Sequence, residues 1–261
     1  MKEYNQKTLT NQLRSIMKFI VILLLSSFYW TIDVFGQTFN QSINKDSLLQ
    51  VILKGLPEDR RREILKMYTE GNEESREFLL LMFSMPTSSK KQLVSNIDSN
   101  FAKINYLKTE YSKLVPGGYI VSIEFNPANE IAMMKESIDL RIEHISNGQT
   151  DVKQEWNLEY NSHKLNQMLK PLNWTNETIH SIKQLLSDAN CVSIKNGEIT
   201  TVGFARSGMG KYFFKLFNND LTGDEIKQYN DGCTYIYYKK NIVLEYGGGA
   251  IGPQCFPDKK D

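Results

Sequence analysis

Two hydrophobic periods divide the chain. Between residues 44 and 115 apolar side chains recur every three or four positions, as on a helix face; from Tyr119 onward they alternate, as along a strand. Asn44 can cap a first helix carrying Leu48, Leu49, Val51, Ile52 and Leu53, which Gly55 stops. Pro57 suits a first helical position, and Ile64, Leu65, Met67 and Tyr68 supply the apolar side of a second helix that Gly71 ends. Asn72 caps a third, with Glu73 and Glu74 at its positive end and Pro86 beyond its apolar run. The fourth has the most regular stripe: Val94, Ile97, Phe101, Ile104, Leu107, Tyr111 and Leu114, closed by Pro116-Gly117-Gly118. Such a stripe serves a coiled coil or partner helix, or packs within a bundle. It covers only about three heptads and three short helices precede it, so packing against those helices is expected.

In the second half Val121, Ile123 and Phe125 alternate with polar or small residues, as do Ile138, Leu140 and Ile142 with Asp139, Arg141 and Glu143. Val152, Gln154, Trp156, Leu158 and Tyr160 alternate with Lys153, Glu155, Asn157 and Glu159, and Asn147-Gly148 supplies the turn between the last two runs. This spacing predicts an antiparallel meander with one buried and one wet face. Two helices follow, over 162–170 and from Thr175 or Asn176 to about Ala189. Strands then return. Asn196-Gly197 is a strong signal for a two-residue hairpin turn, with Glu198 to Phe204 as its second strand. Lys211–Phe217 is a further strand, and Cys233–Lys239 and Ile242–Tyr246 form a last hairpin around Lys240-Asn241. The fold class is therefore α+β: a helical region, 37–116, precedes an antiparallel α+β domain, 117–261, with two inserted helices.

The head of the chain changes the picture. Residues 19–30 read FIVILLLSSFYW, Arg14 and Lys18 precede them, and Val34-Phe35-Gly36 offers a cleavage site before Gln37. That is the pattern of a signal peptide over 1–36; Met17-Lys18 makes a natural start, leaving 1–16 as an extension. The alternative is an uncleaved anchor, but a spanning helix needs about 20 apolar residues and Asp33 interrupts this run early. Export, to a periplasm, cell surface or medium, is the expectation, with membrane contact only through an uncleaved segment.

Composition adds less. Hydrophobic residues at 41% and charged residues at 23% fit a globular chain, and the net charge of +1 lacks the basic excess that nucleic acid demands. The Cys residues are 191, 233 and 255 and the His residues 144, 163 and 180, with no metal-site spacing among them, so no metal is expected. In an oxidising compartment a pair of the three Cys can bond. Cys233 and Cys255 are the expected pair, because the last hairpin returns the chain end beside Cys233, and Cys191 is expected free and buried; Cys191 with Cys233 is the competing pair.

Candidate chemistry is sparse. Gly247-Gly248-Gly249-Ala250-Ile251-Gly252 follows a strand and contains G-x-G-x-x-G, but Pro253 comes next and no helical pattern follows, so no nucleotide cofactor is expected. Ser207-Gly208-Met209-Gly210-Lys211 lacks the residues of a phosphate loop and reads as a turn between strands. Asp139 and Glu143 share a strand face around Arg141, with Glu155 or Glu159 opposite; paired carboxylates can hydrolyse glycosides, but alternating charges on a wet strand more often form cross-strand ion pairs. Ten aromatic residues lie between Phe204 and Tyr246, most of them core by type. Tyr235, Tyr237 and Tyr238, together with Arg206, form the candidate ligand surface. The leading expectation is an exported, non-catalytic protein that binds a protein or small ligand, with catalytic residues unassigned; the alternatives are an exported carboxylate hydrolase and an envelope protein held by its N-terminal helix.

Overall fold

The computed structural model describes residues 39–248 and 252–257. The predicted signal segment and its cleavage point lie outside the described residues. Within them the chain is α+β, with every strand in one eight-stranded antiparallel sheet.

Three helices come first: α1 (Lys45–Lys54), α2 (Glu58–Glu70) and α3 (Glu73–Phe83). Asn44 and Asn72 cap α1 and α3 as expected, their side chains accepting the Ser47 and Ser75 backbone N–H at 2.8 and 2.9 Å. Leu49, Leu53, Ile64, Leu79 and Leu80 bury against one another and Phe39, with Ile131 packed alongside. Lys45 ties the first and third helices through Glu73 and Glu77.

Helix α4 (Lys90–Leu114) does not pack as the sequence suggested. Its Leu93, Ile97, Ile104, Leu107 and Tyr111 are buried in the sheet core, while α1–α3 spend their apolar residues on a separate cluster. The stripe is also broken. Asn100 has non-helical angles (φ −117°, ψ 16°), which kink the helix, and Phe101 beside it is 38% exposed. The break is held by polar bonds: Asn100 donates to Asn96 Oδ1 at 2.7 Å, and buried Asn96 donates to the Ala189 and Asn190 carbonyls at 3.3 and 3.2 Å.

The strands are β1 (Tyr119–Asn126), β2 (Ser137–Ser146), β3 (Gln149–Leu158), β4 (Ser193–Lys195), β5 (Thr200–Ser207), β6 (Gly210–Leu216), β7 (Tyr235–Lys239) and β8 (Ile242–Gly247). Their spatial order is β3-β2-β1-β4-β5-β6-β8-β7. Between β3 and β4 come α5 (His163–Leu169), a 3₁₀ turn over Lys170–Leu172 and α6 (Asn176–Asp188); the short α7 (Gly223–Gln228) precedes β7. Helices α4, α5 and α6 cover the face that carries Val121, Ile123, Ile138, Leu140, Val202 and Phe214.

Of the two expected Asn-Gly turns, one forms and one does not. Asn147 and Gly148 both have positive φ (51° and 74°) and close β2 onto β3 as a two-residue turn. Asn196-Gly197 does not: β4 pairs with β5 through Lys195↔Thr201, and residues 196–199 form a wider loop. Asn196 continues β4 along β1 instead, its Oδ1 accepting the Val121 N–H at 2.6 Å and its Nδ2 donating to the Tyr119 carbonyl at 3.1 Å. In β3 the predicted alternation also fails. A bulge at Trp156–Asn157, where Asn157 has φ 53° and gives its N–H to Asp139, sends Leu158 to the core and leaves Val152 and Trp156 43% and 63% exposed.

The chain end returns as expected. Cys233 and Cys255 are bonded, Cys191 is free and buried, and Phe256 packs on Tyr212 and Tyr246. Gly247 (φ 122°) permits this return: a Cβ there would lie 2.7 Å from both the Gln254 nitrogen and the Gly252 carbonyl.

Candidate functional site

The sheet face opposite α4–α6 is where strand register gathers polar chemistry. Alternation places Glu124 and Asn126 of β1, Asp139, Arg141 and Glu143 of β2, Lys195 of β4, Arg206 of β5, Lys211 and Lys215 of β6 and Glu245 of β8 there together. Glu124, only 8% exposed, is the hub. Arg206 lies 2.6 Å from its Oε1, and Lys211 pairs with its Oε2. The same Arg206 nitrogen donates to Asn126 Oδ1 at 2.7 Å and lies 3.8 Å from Asp139.

A second cluster adjoins it. Glu143 takes Arg141 Nε at 3.0 Å and Lys195 Nζ at 3.1 Å, and Arg141 reaches across to Gln154 at 2.9 Å. Burial works to raise the Glu143 carboxyl, but the Arg141 and Lys195 contacts outweigh it and hold the group below its ordinary value. A third cluster lies toward β7: Lys215 pairs with Glu245 at 3.1 Å and sits 5.6 Å from the Tyr235 ring, which meets Tyr229 edge-on.

Placement of the predicted site residues is mixed. Tyr235 and Tyr237 lie on this face, opposite Glu245 and Val243. Arg206 lies on it too, toward the middle of the sheet. Tyr238 does not, because a register shift beside it turns its ring toward α4, where its hydroxyl donates to Asp98 at 2.6 Å. That bond and burial raise the Tyr238 hydroxyl, and donation from Lys239 and Tyr238 lowers Asp98. Asp139 and Glu143 share the face as expected. Glu155 and Glu159 do not join them: Glu155 is in register with core-facing Leu140 and pairs with Lys164 of α5, and Glu159 pairs with Lys135.

Glu124, Asn126, Lys195 and Lys211 were not singled out by sequence. Their signal was position: Glu124 falls on the polar side of the β1 alternation, and only the β1–β2 and β5–β6 registers reveal what it meets. Among the described residues no helix is long and apolar enough to cross a membrane, and no group of three or more His, Cys, Asp or Glu is placed to hold a metal. The fold thus defines an α+β protein built on one antiparallel sheet whose second face is a charge network. No protein-family model, curated protein or solved structure gives a match to the chain.

Proposed function

We propose that this chain is an exported, non-catalytic binding protein, and that its ligand or partner contacts the second sheet face at Tyr235, Tyr237 and Arg206. One observation carries the reading: half-buried aromatic rings and cations share a face away from α4–α6, with Lys215 already set against the Tyr235 ring. The arrangement suits stacking and charge recognition. It suits acid catalysis poorly at Glu143, which two cations hold in the form that cannot give a proton. The Cys233–Cys255 bond fits an oxidising compartment, as export before Gln37 requires.

Native mass spectrometry of protein from its own exported fraction tests both parts. The expected species begins at or near Gln37 and carries a bound molecule. Tyr235→Ala with Tyr237→Ala should abolish the adduct, while Tyr238→Ala, on the α4 side, should keep it. Retention by the double variant would refute the surface assignment, and a full-length species in the membrane fraction would refute cleavage.

A further inference from the structure

The two edges of the sheet are finished differently. Along β7 the preceding loop meets the backbone: Asn230 Oδ1 accepts the Tyr237 N–H at 3.1 Å, and Asp231 Oδ1 accepts the Tyr235 N–H at 2.9 Å. Along β3 no side chain among the described residues meets an outward backbone group before the bulge, where the Asn157 N–H goes to Asp139 of the neighbouring strand β2. The two-residue turn makes Ser146↔Gln149 a hydrogen-bonded pair, so the backbone groups of Gln149, Asp151, Lys153 and Glu155 point to β2. Those of Thr150, Val152, Gln154 and Trp156 point outward and meet no partner among the described residues. An uncapped edge of this length is a template for another strand.

We propose that the strand added there is β3 of a second copy of this chain, antiparallel about a two-fold axis through Gln154. The β3 sequence is self-complementary in that register. Val152 falls opposite the partner's Trp156, joining two of the exposed apolar side chains, and Lys153 falls opposite the partner's Glu155; each pair occurs twice by symmetry. Moving the axis to Lys153 sets that lysine against itself and Asp151 against the partner's Glu155. Moving it to Val152 keeps an Asp151–Lys153 pair but leaves Trp156 facing the Asn147-Gly148 turn, with no side chain to pack on. The bulge at Asn157 limits the regular pairing to residues before it, so the dimer is short and dissociates on dilution.

Sedimentation velocity over a concentration series tests this on the mature protein with its disulfide intact. The wild type should associate reversibly to a dimer. Val152→Pro should abolish the dimer while leaving the fold, since its N–H serves no bond within the sheet. Lys153→Glu should weaken association roughly tenfold, because two attractive pairs become repulsive. Adding Glu155→Lys to it should restore wild-type association, a rescue that no general loss of stability would produce. A monomer at every concentration overturns the proposal, as does a dimer indifferent to Val152→Pro. A Lys153→Glu defect rescued by Asp151→Lys instead would refute the Gln154 axis.

Discussion

Asn196 offers the sharpest test of how this sheet is joined. As the first residue of an Asn-Gly turn its value would be tolerance of positive φ, which Asp shares. In the structure its amide completes the β1–β4 junction: Oδ1 accepts the Val121 N–H at 2.6 Å and Nδ2 donates to the Tyr119 carbonyl at 3.1 Å. Each bond is worth about 1 kcal/mol net, and a buried N–H left unpaired costs about 1–3 kcal/mol. Val121 is fully buried, so Asn196→Ala should cost roughly 2–3 kcal/mol. Asn196→Asp keeps the acceptor but sets a carboxylate oxygen against the Tyr119 carbonyl, so it should cost roughly 1–2 kcal/mol. Urea unfolding measures both, with the slope unchanged if the unfolded state is unaffected. Gly197→Val does not discriminate, since φ 146° at Gly197 disfavours a side chain under either account. If Asn196→Asp matched the wild type while Gly197→Val destabilised, the junction argument would fail and the turn account would stand.

Three further outcomes follow from the same structure. Ile104→Ala, at a fully buried site, should cost about 3 kcal/mol in chemical unfolding, whereas Phe101→Ala should cost under about 1 kcal/mol; equal costs would mean that the stripe of α4 is continuous. Removing the Cys233–Cys255 bond opens the loop it closes and should cost about 3 kcal/mol, and non-reducing peptide mapping should show that link with Cys191 alkylated only after denaturation; a 191–233 peptide would contradict it. Glu143→Gln should be destabilising at neutral pH, and its deficit should shrink on acidification: a depressed carboxyl contributes stability above its unfolded-state value and loses it as pH falls through the folded one. A deficit that stayed constant down to acid pH would show that Glu143 acts through shape alone.

Local elements were legible because their causes are local. Asn44, Asn72 and Thr175 announced helix starts, and Asn147-Gly148 announced a turn, since a cap or a positive φ is satisfied within a few residues. Three things were not legible. The partner of the α4 stripe was misjudged because apolar spacing states that a face is buried and not against what. The β3 alternation broke at Asn157, whose bulge depends on a carboxylate 18 residues away. The site itself was the least visible part: Lys211 and Glu124 are 87 residues apart, and only sheet order brings them together. The Cys233–Cys255 pairing could be anticipated because one hairpin return sets it.

The sealed position of Cys191 bears on how the protein matures. Burial holds its thiol up at about 12, so in the folded chain almost none of it is the thiolate that attacks a disulfide or an oxidant. Before the core closes around α6 and β4 it has no such protection, and all three cysteines compete. Correct bonding therefore depends on order in time: collapse first, oxidation second. A chain oxidised while still extended would scramble, and one delivered unfolded to an oxidising compartment must bury Cys191 faster than its thiols are captured.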